Sequence, residues 1–245
     1  MLLFILNLTC YAQINQKVFD QTTTEFLNRL IVPINNQYKL NIDLKTKWES
    51  DYINATMIQT DNQNTIMAFG GFARQAGVTP EVFSLLLCHE LGHIMGGFPL
   101  KRILHASVEG QADLYATLMC LKILWLEKKN IQLHGEFIKL LPHSLYLACM
   151  NSFQSAQEQI ICLKSIETSL KFVKIASNLI YDKDPLLSLN RRSLSRAYQT
   201  LEHHPPLQCR LDTLVLGSIT SIPLSFEVLS EDYFSITRPS CWYYN

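Results

Sequence analysis

Two histidines four residues apart, with a glutamate between them, are the residues of this chain best suited to chemistry: His89-Glu90-Leu91-Gly92-His93. On a helix, positions four apart lie on one face. Both imidazoles can therefore reach one metal ion. Glu90 is placed to take a proton from a water that the metal activates. Two imidazoles with a carboxylate suit zinc. Two protein ligands do not hold a catalytic zinc, for which three plus a water is the usual set. The next acids are Glu109 and Asp113, in Ser107-Val108-Glu109-Gly110-Gln111-Ala112-Asp113. They too are four apart. One can ligate while the other hydrogen-bonds a ligating imidazole. The plainer alternative is a carboxylate cluster favoured by the positive end of a helix.

Helices must position these groups. Thr79-Pro80-Glu81 is a helix start, with Thr as N-cap, Pro at the first position and an acid near the dipole's positive end. Val82, Phe83, Leu85, Leu86, Leu87 and Leu91 make that helix largely apolar, hence buried. Gly96-Gly97 followed by Pro99 ends it. A buried helix with two His and one Glu needs a partner for its polar groups, and a metal supplies one. A second buried helix is predicted to start near Ser107 and run through Leu114 to Leu126, apolar apart from Lys122. Residues 14–30 repeat apolar positions at helical spacing, and residues 38–58 and 64–70 read as short strands. From residue 80 onward the pattern is mainly helical, including an apolar stripe over Gln154 to Ile180 that reads as packing surface. Arg191, Arg192 and Arg196 read as a solvated helix face, and the aromatic tail Trp242-Tyr243-Tyr244 as packed down.

Glu-x-x-x-Asp opening a helix after His-Glu-x-x-His resembles the gluzincin metallopeptidases of the HtpX and CAAX-prenyl-endopeptidase type. That resemblance implies a zincin-like α+β fold, mainly helical, with a small N-terminal sheet. It implies Glu109 as the third metal ligand and Asp113 as the acid supporting it. His204-Pro205-Pro206-Leu207-Gln208-Cys209-Arg210 resembles the family's late His-Pro-Pro-x-x-x-Arg element. There the His approaches metal or substrate and the Arg pairs with site carboxylates, so His204 and Arg210 join the candidate catalytic residues. A Pro-rich turn before an amphipathic helix accounts for the same residues. Asn54-Ala55 and Thr65 to Gly71 resemble the strand before the metal helix, where an edge strand can pair with an extended substrate. A plain core strand is the alternative. The resemblance covers roughly residues 50 to 126 and 200 to 216. Only fifteen residues separate His93 from Glu109, where many members carry a much longer connection.

The 245 residues suit one domain over 13–245, with a helical insertion at about 127–200. Lys plus Arg and Asp plus Glu balance at 21 each, and no basic stripe suggests nucleic acid. No apolar run reaches the roughly 18 residues of a membrane span. Residues 1–12 read as a signal peptide, with an apolar block at Leu2 to Leu6 and a small-x-small site at Cys10-Tyr11-Ala12. A short apolar strand is the other reading of that segment. Its removal leaves Cys88, Cys120, Cys149, Cys162, Cys209 and Cys241, an even set compatible with an exported, periplasmic or secreted, disulfide-bonded protein. Cys149–Cys162 and Cys209–Cys241 flank loop-like segments and are the expected bridges. Cys88 and Cys120 either pair or stay as buried thiols. The function expected is a zinc metalloendopeptidase, with one Zn2+ per chain, acting on protein or peptide substrates. The alternative is a zinc-binding, noncatalytic chaperone or assembly factor of the cell envelope.

Overall fold

The computed structural model describes residues 14–179, 186–224 and 237–244. The expected signal peptide lies outside them. The chain is a mainly helical α+β protein with one small sheet. Its first helical stretch is longer than residues 14–30. Helix α1 (Gln16–Phe26) runs through a π-helical turn (Leu27–Ile31) into α2 (Val32–Tyr38). Asn15 caps its start, accepting the Val18 N–H at 3.0 Å. Lys39, with a left-handed φ of 55°, ends it.

The segment expected as strand over 38–58 divides into β1 (Ile42–Lys47) and β2 (Ala55–Gln59), and β3 is Asn64–Phe69. The sheet order is β1-β3-β2, with β3 parallel to β1 and antiparallel to β2. This corrects the expectation that Thr65 onward offers an edge. Thr65 to Phe69 is the central strand, paired on both sides, and Ile66 and Ala68 are fully buried. The edge beside the candidate site is β2, which begins at Ala55.

After α3 (Gly70–Ala73), helix α4 (Pro80–Met95) forms the centre of the molecule. Thr79 caps it and Pro80 opens it, as the residue types require. It is buried on nearly every side because it packs against α1, the helix Ala156–Leu179, the edge strand β2 and α5 (Glu109–Tyr115). Gly92 permits the α5 contact, since a Cβ there would lie 2.6 Å from the Ala112 carbonyl oxygen. Beyond α5 the helix continues through a π turn (Ala116–Cys120) into α6 (Leu121–Trp125). Lys122, the one charge in this run, is buried and donates to the Gly217 and Thr220 carbonyls at 2.9 and 2.5 Å. Those carbonyls belong to the end of α10 (Leu207–Ile219), so the lysine satisfies groups a helix leaves open.

Helices α7 (Gly135–Leu140), α8 (His143–Ser152) and α9 (Ala156–Leu179) follow, and α9 packs on both α4 and α10. Arg191 and Arg192 do not lie on a helix, contrary to expectation. That stretch is irregular and is held to α10 instead, with Arg192 3.5 Å from Asp212 and Arg191 bonded to Gln208. All six cysteines of the described residues are bridged: Cys88–Cys120, Cys149–Cys162 and Cys209–Cys241. The last bridge brings residues 237–244 back onto the fold. Trp242 is fully buried against Gly110, and its indole N–H donates to Thr213 at 3.0 Å.

Candidate metal centre

Helix α4 presents His89 and His93 on one face, their ring centroids 4.8 Å apart. Helix α5 meets that face with its first turn and brings Glu109. The Glu109 Oε2 atom lies 3.1 Å from His89 Nε2 and 3.6 Å from His93 Nε2. His204, in the turn before α10, adds its Nε2 at 3.0 Å from the same oxygen. Three ring nitrogens thus face one carboxylate oxygen. His89, Glu109 and His204 can hold a metal ion, as can His89, Glu90 and His93. His89, Glu90, His93 and Glu109 are buried, whereas the His204 side chain is 60% exposed. A buried cluster of imidazoles and carboxylates fits a divalent cation better than it fits an apolar core.

The outer nitrogens of the two α4 histidines are also fixed. Nδ1 of His93 donates to the Ser107 carbonyl at 2.8 Å. Nδ1 of His89 donates to Asp113 Oδ1 at 2.8 Å. Both rings then present Nε2 to the centre, where a metal would take the place of a proton on that nitrogen. Asp113 is in turn held by Arg210, whose Nε and Nη2 each donate at 2.8 Å to its two oxygens. The Arg210 guanidinium lies 5.3 Å from the Phe172 ring centroid. All the residues singled out in the sequence therefore meet at one place.

Electrostatics follow from burial and these pairings. Burial pulls the His89 imidazole down, but Asp113 and Glu109 outweigh it and push it up to about 10. Burial and the neighbouring His89 cation push His93 down to about 4, against the pull of Glu109. Burial pushes the Glu90 carboxyl up to about 7, with His89 opposing and Glu109 adding. Burial raises Glu109 and Asp113 too, yet both end well below the usual carboxylate range. His204 and His89 hold Glu109 there, and Arg210 and His89 hold Asp113.

Two contacts had no sequence signal. Glu90 Oε2 accepts the backbone N–H of Met57 at 2.7 Å, which ties the acid to the edge strand. Lys101 donates to Glu109 Oε1 at 2.7 Å. The first involves a backbone group and the second a lysine in an unpatterned connection, so neither residue type nor spacing pointed to them. The centre opens into a cleft of about 480 Å3. The histidines and acids line it together with the apolar Phe72, Leu86, Phe172 and Leu179. Phe172 and Leu179 come from the α9 stripe that reads as packing surface, so part of it faces the cleft.

Comparison with protein-family models, with curated proteins and with solved structures gives no match.

Proposed function

We propose that this protein is a zinc-dependent endopeptidase. One observation carries the reading: His89 and His93, from one helix, aim Nε2 at the Oε2 of Glu109 from the next, with Asp113 behind His89. Two imidazoles and a carboxylate are a donor set that zinc accepts while keeping a position for water. Zinc bound there would acidify a water and polarise a peptide carbonyl. Glu90 lies between the two histidines and borders the cleft. It takes the proton from the attacking water and passes it to the leaving amine. Arg210 and Asp113 keep His89 oriented. The β2 edge lies along the cleft from Ala55 to Met57 and, apart from the Met57 N–H that Glu90 occupies, is suited to an extended peptide. The three disulfides support an oxidising, extracytoplasmic setting.

The test is proteolysis of unfolded casein by zinc-loaded protein, with and without chelator. Chelator-sensitive fragments are expected, and Glu90→Gln is expected to keep its zinc and lose about 10²–10⁴-fold in rate. Zinc-loaded wild type and His204→Ala that both bind casein without cutting it defeat the reading. A variant of this reading has its own observation, the 3.0 Å approach of His204 to Glu109. A third imidazole filling the position left for water makes the enzyme latent. His204→Ala then raises activity, whereas a His204 that contacts substrate gives a fall.

A further inference from the structure

The carboxylate of Glu109 has two oxygens with separate partners. Oε2 faces the ring nitrogens of His89, His93 and His204. Oε1 accepts from the Lys101 ammonium at 2.7 Å. Lys101 is itself held. Its backbone N–H donates to the Ala106 carbonyl at 2.8 Å, next to an antiparallel bridge between Leu100 and Ser107. Ser107, on the opposite limb of this hairpin, supplies the carbonyl that orients His93. Its N–H also donates to the His93 carbonyl at 2.9 Å. The short connection between the two site helices thus fixes an imidazole with one limb and a carboxylate with the other.

A free carboxylate can bind a cation through one oxygen or through both. A charge-assisted hydrogen bond to one oxygen opposes the second mode. We propose that Lys101 is a positioning residue that commits Glu109 to binding the metal through Oε2 alone, which keeps the centre four-coordinate. The proposal rests on the metal-centre reading above. It gives the short link between His93 and Glu109 a role, since its hairpin sets the ammonium beside the carboxylate.

The test replaces zinc with cobalt(II), whose visible absorption is severalfold stronger in four-coordinate than in five-coordinate sites. Wild-type protein, Lys101→Met and Lys101→Arg are titrated with cobalt(II) chloride, and circular dichroism monitors folding. Wild type and Lys101→Arg are expected to absorb strongly at one equivalent. Lys101→Met is expected to bind one equivalent with a severalfold loss of absorbance, as Glu109 turns both oxygens to the metal. Lys101→Ala carries the same expectation and replaces the Met variant should that one misfold. Unchanged absorbance in the folded Met or Ala variant overturns the proposal and leaves the metal reading standing. Wild-type protein that takes up no cobalt overturns both.

Discussion

Asp113 is the residue on which the centre's order depends, because it connects two helices and an arginine through one carboxylate. Asp113→Asn keeps the shape but removes the charge that faces His89 and Arg210. Metal affinity is expected to fall about 10–100-fold, read by competition with a chromophoric chelator. Arg210→Met instead leaves a fully buried carboxylate without its cation. The loss is expected to be about 3–5 kcal/mol of stability, read by denaturant unfolding. The paired histidines and acids were legible in the sequence because helical geometry converts a spacing of four into a shared face, whereas Arg210 was a candidate only through the resemblance of the His-Pro-Pro-x-x-x-Arg element. His89 with His93, and Glu109 with Asp113, need no tertiary knowledge to be paired off. Lys101 was not legible, since its ammonium reaches Glu109 only after the connection between the helices has folded into a hairpin.

Among the elements, the α4–α5 contact is the most demanding. Gly92 lets the two backbones meet, and a Cβ there would press on both the oxygen and the Cα of Ala112. Gly92→Ala is expected to cost about 1–3 kcal/mol in thermal or denaturant unfolding and to weaken metal binding in parallel, because the helices it separates carry the ligands. Helix α9 is secured differently. Its buried Glu167 pairs with Lys164 and Lys171 at 3.0 Å each and accepts the His134 N–H at 3.2 Å. Burial raises the Glu167 carboxyl, but the two lysines outweigh it and hold it below its ordinary 4.5. A carboxylate lowered in the folded state stabilises fully above its unfolded value. That contribution is lost as pH falls through the folded one. Unfolding experiments below about pH 4.5 should therefore show wild type losing more stability than Glu167→Gln. Near neutrality the variant should already be about 3 kcal/mol weaker. Helix starts were legible from their caps, as Thr79-Pro80 shows. Strand order was not, because the apolar run Thr65 to Phe69 does not say which neighbours pair with it.

Across the whole molecule, three cross-links join separate segments of the chain. Cys88–Cys120 ties α4 to the π turn after α5, Cys149–Cys162 ties α8 to α9, and Cys209–Cys241 ties α10 to residues 237–244. Each bridge contributes about 2–4 kcal/mol by restricting the unfolded chain. A thiol reductant is therefore expected to lower the melting temperature with metal present or absent, in a calorimetric scan of both forms. Both bridges expected from the sequence, Cys149–Cys162 and Cys209–Cys241, are formed. The third was undecided there because only the packing of α4 against the helix after α5 brings Cys88 and Cys120 together. The Trp242 indole resting on Gly110 has a consequence for biosynthesis. The start of the Glu109 helix is walled by a residue that the ribosome adds long after the histidines. A partly made chain has every donor atom, from α4, α5 and the turn before α10, yet lacks that wall. Whatever reactivity the centre has is assembled in full only once translation has passed position 242.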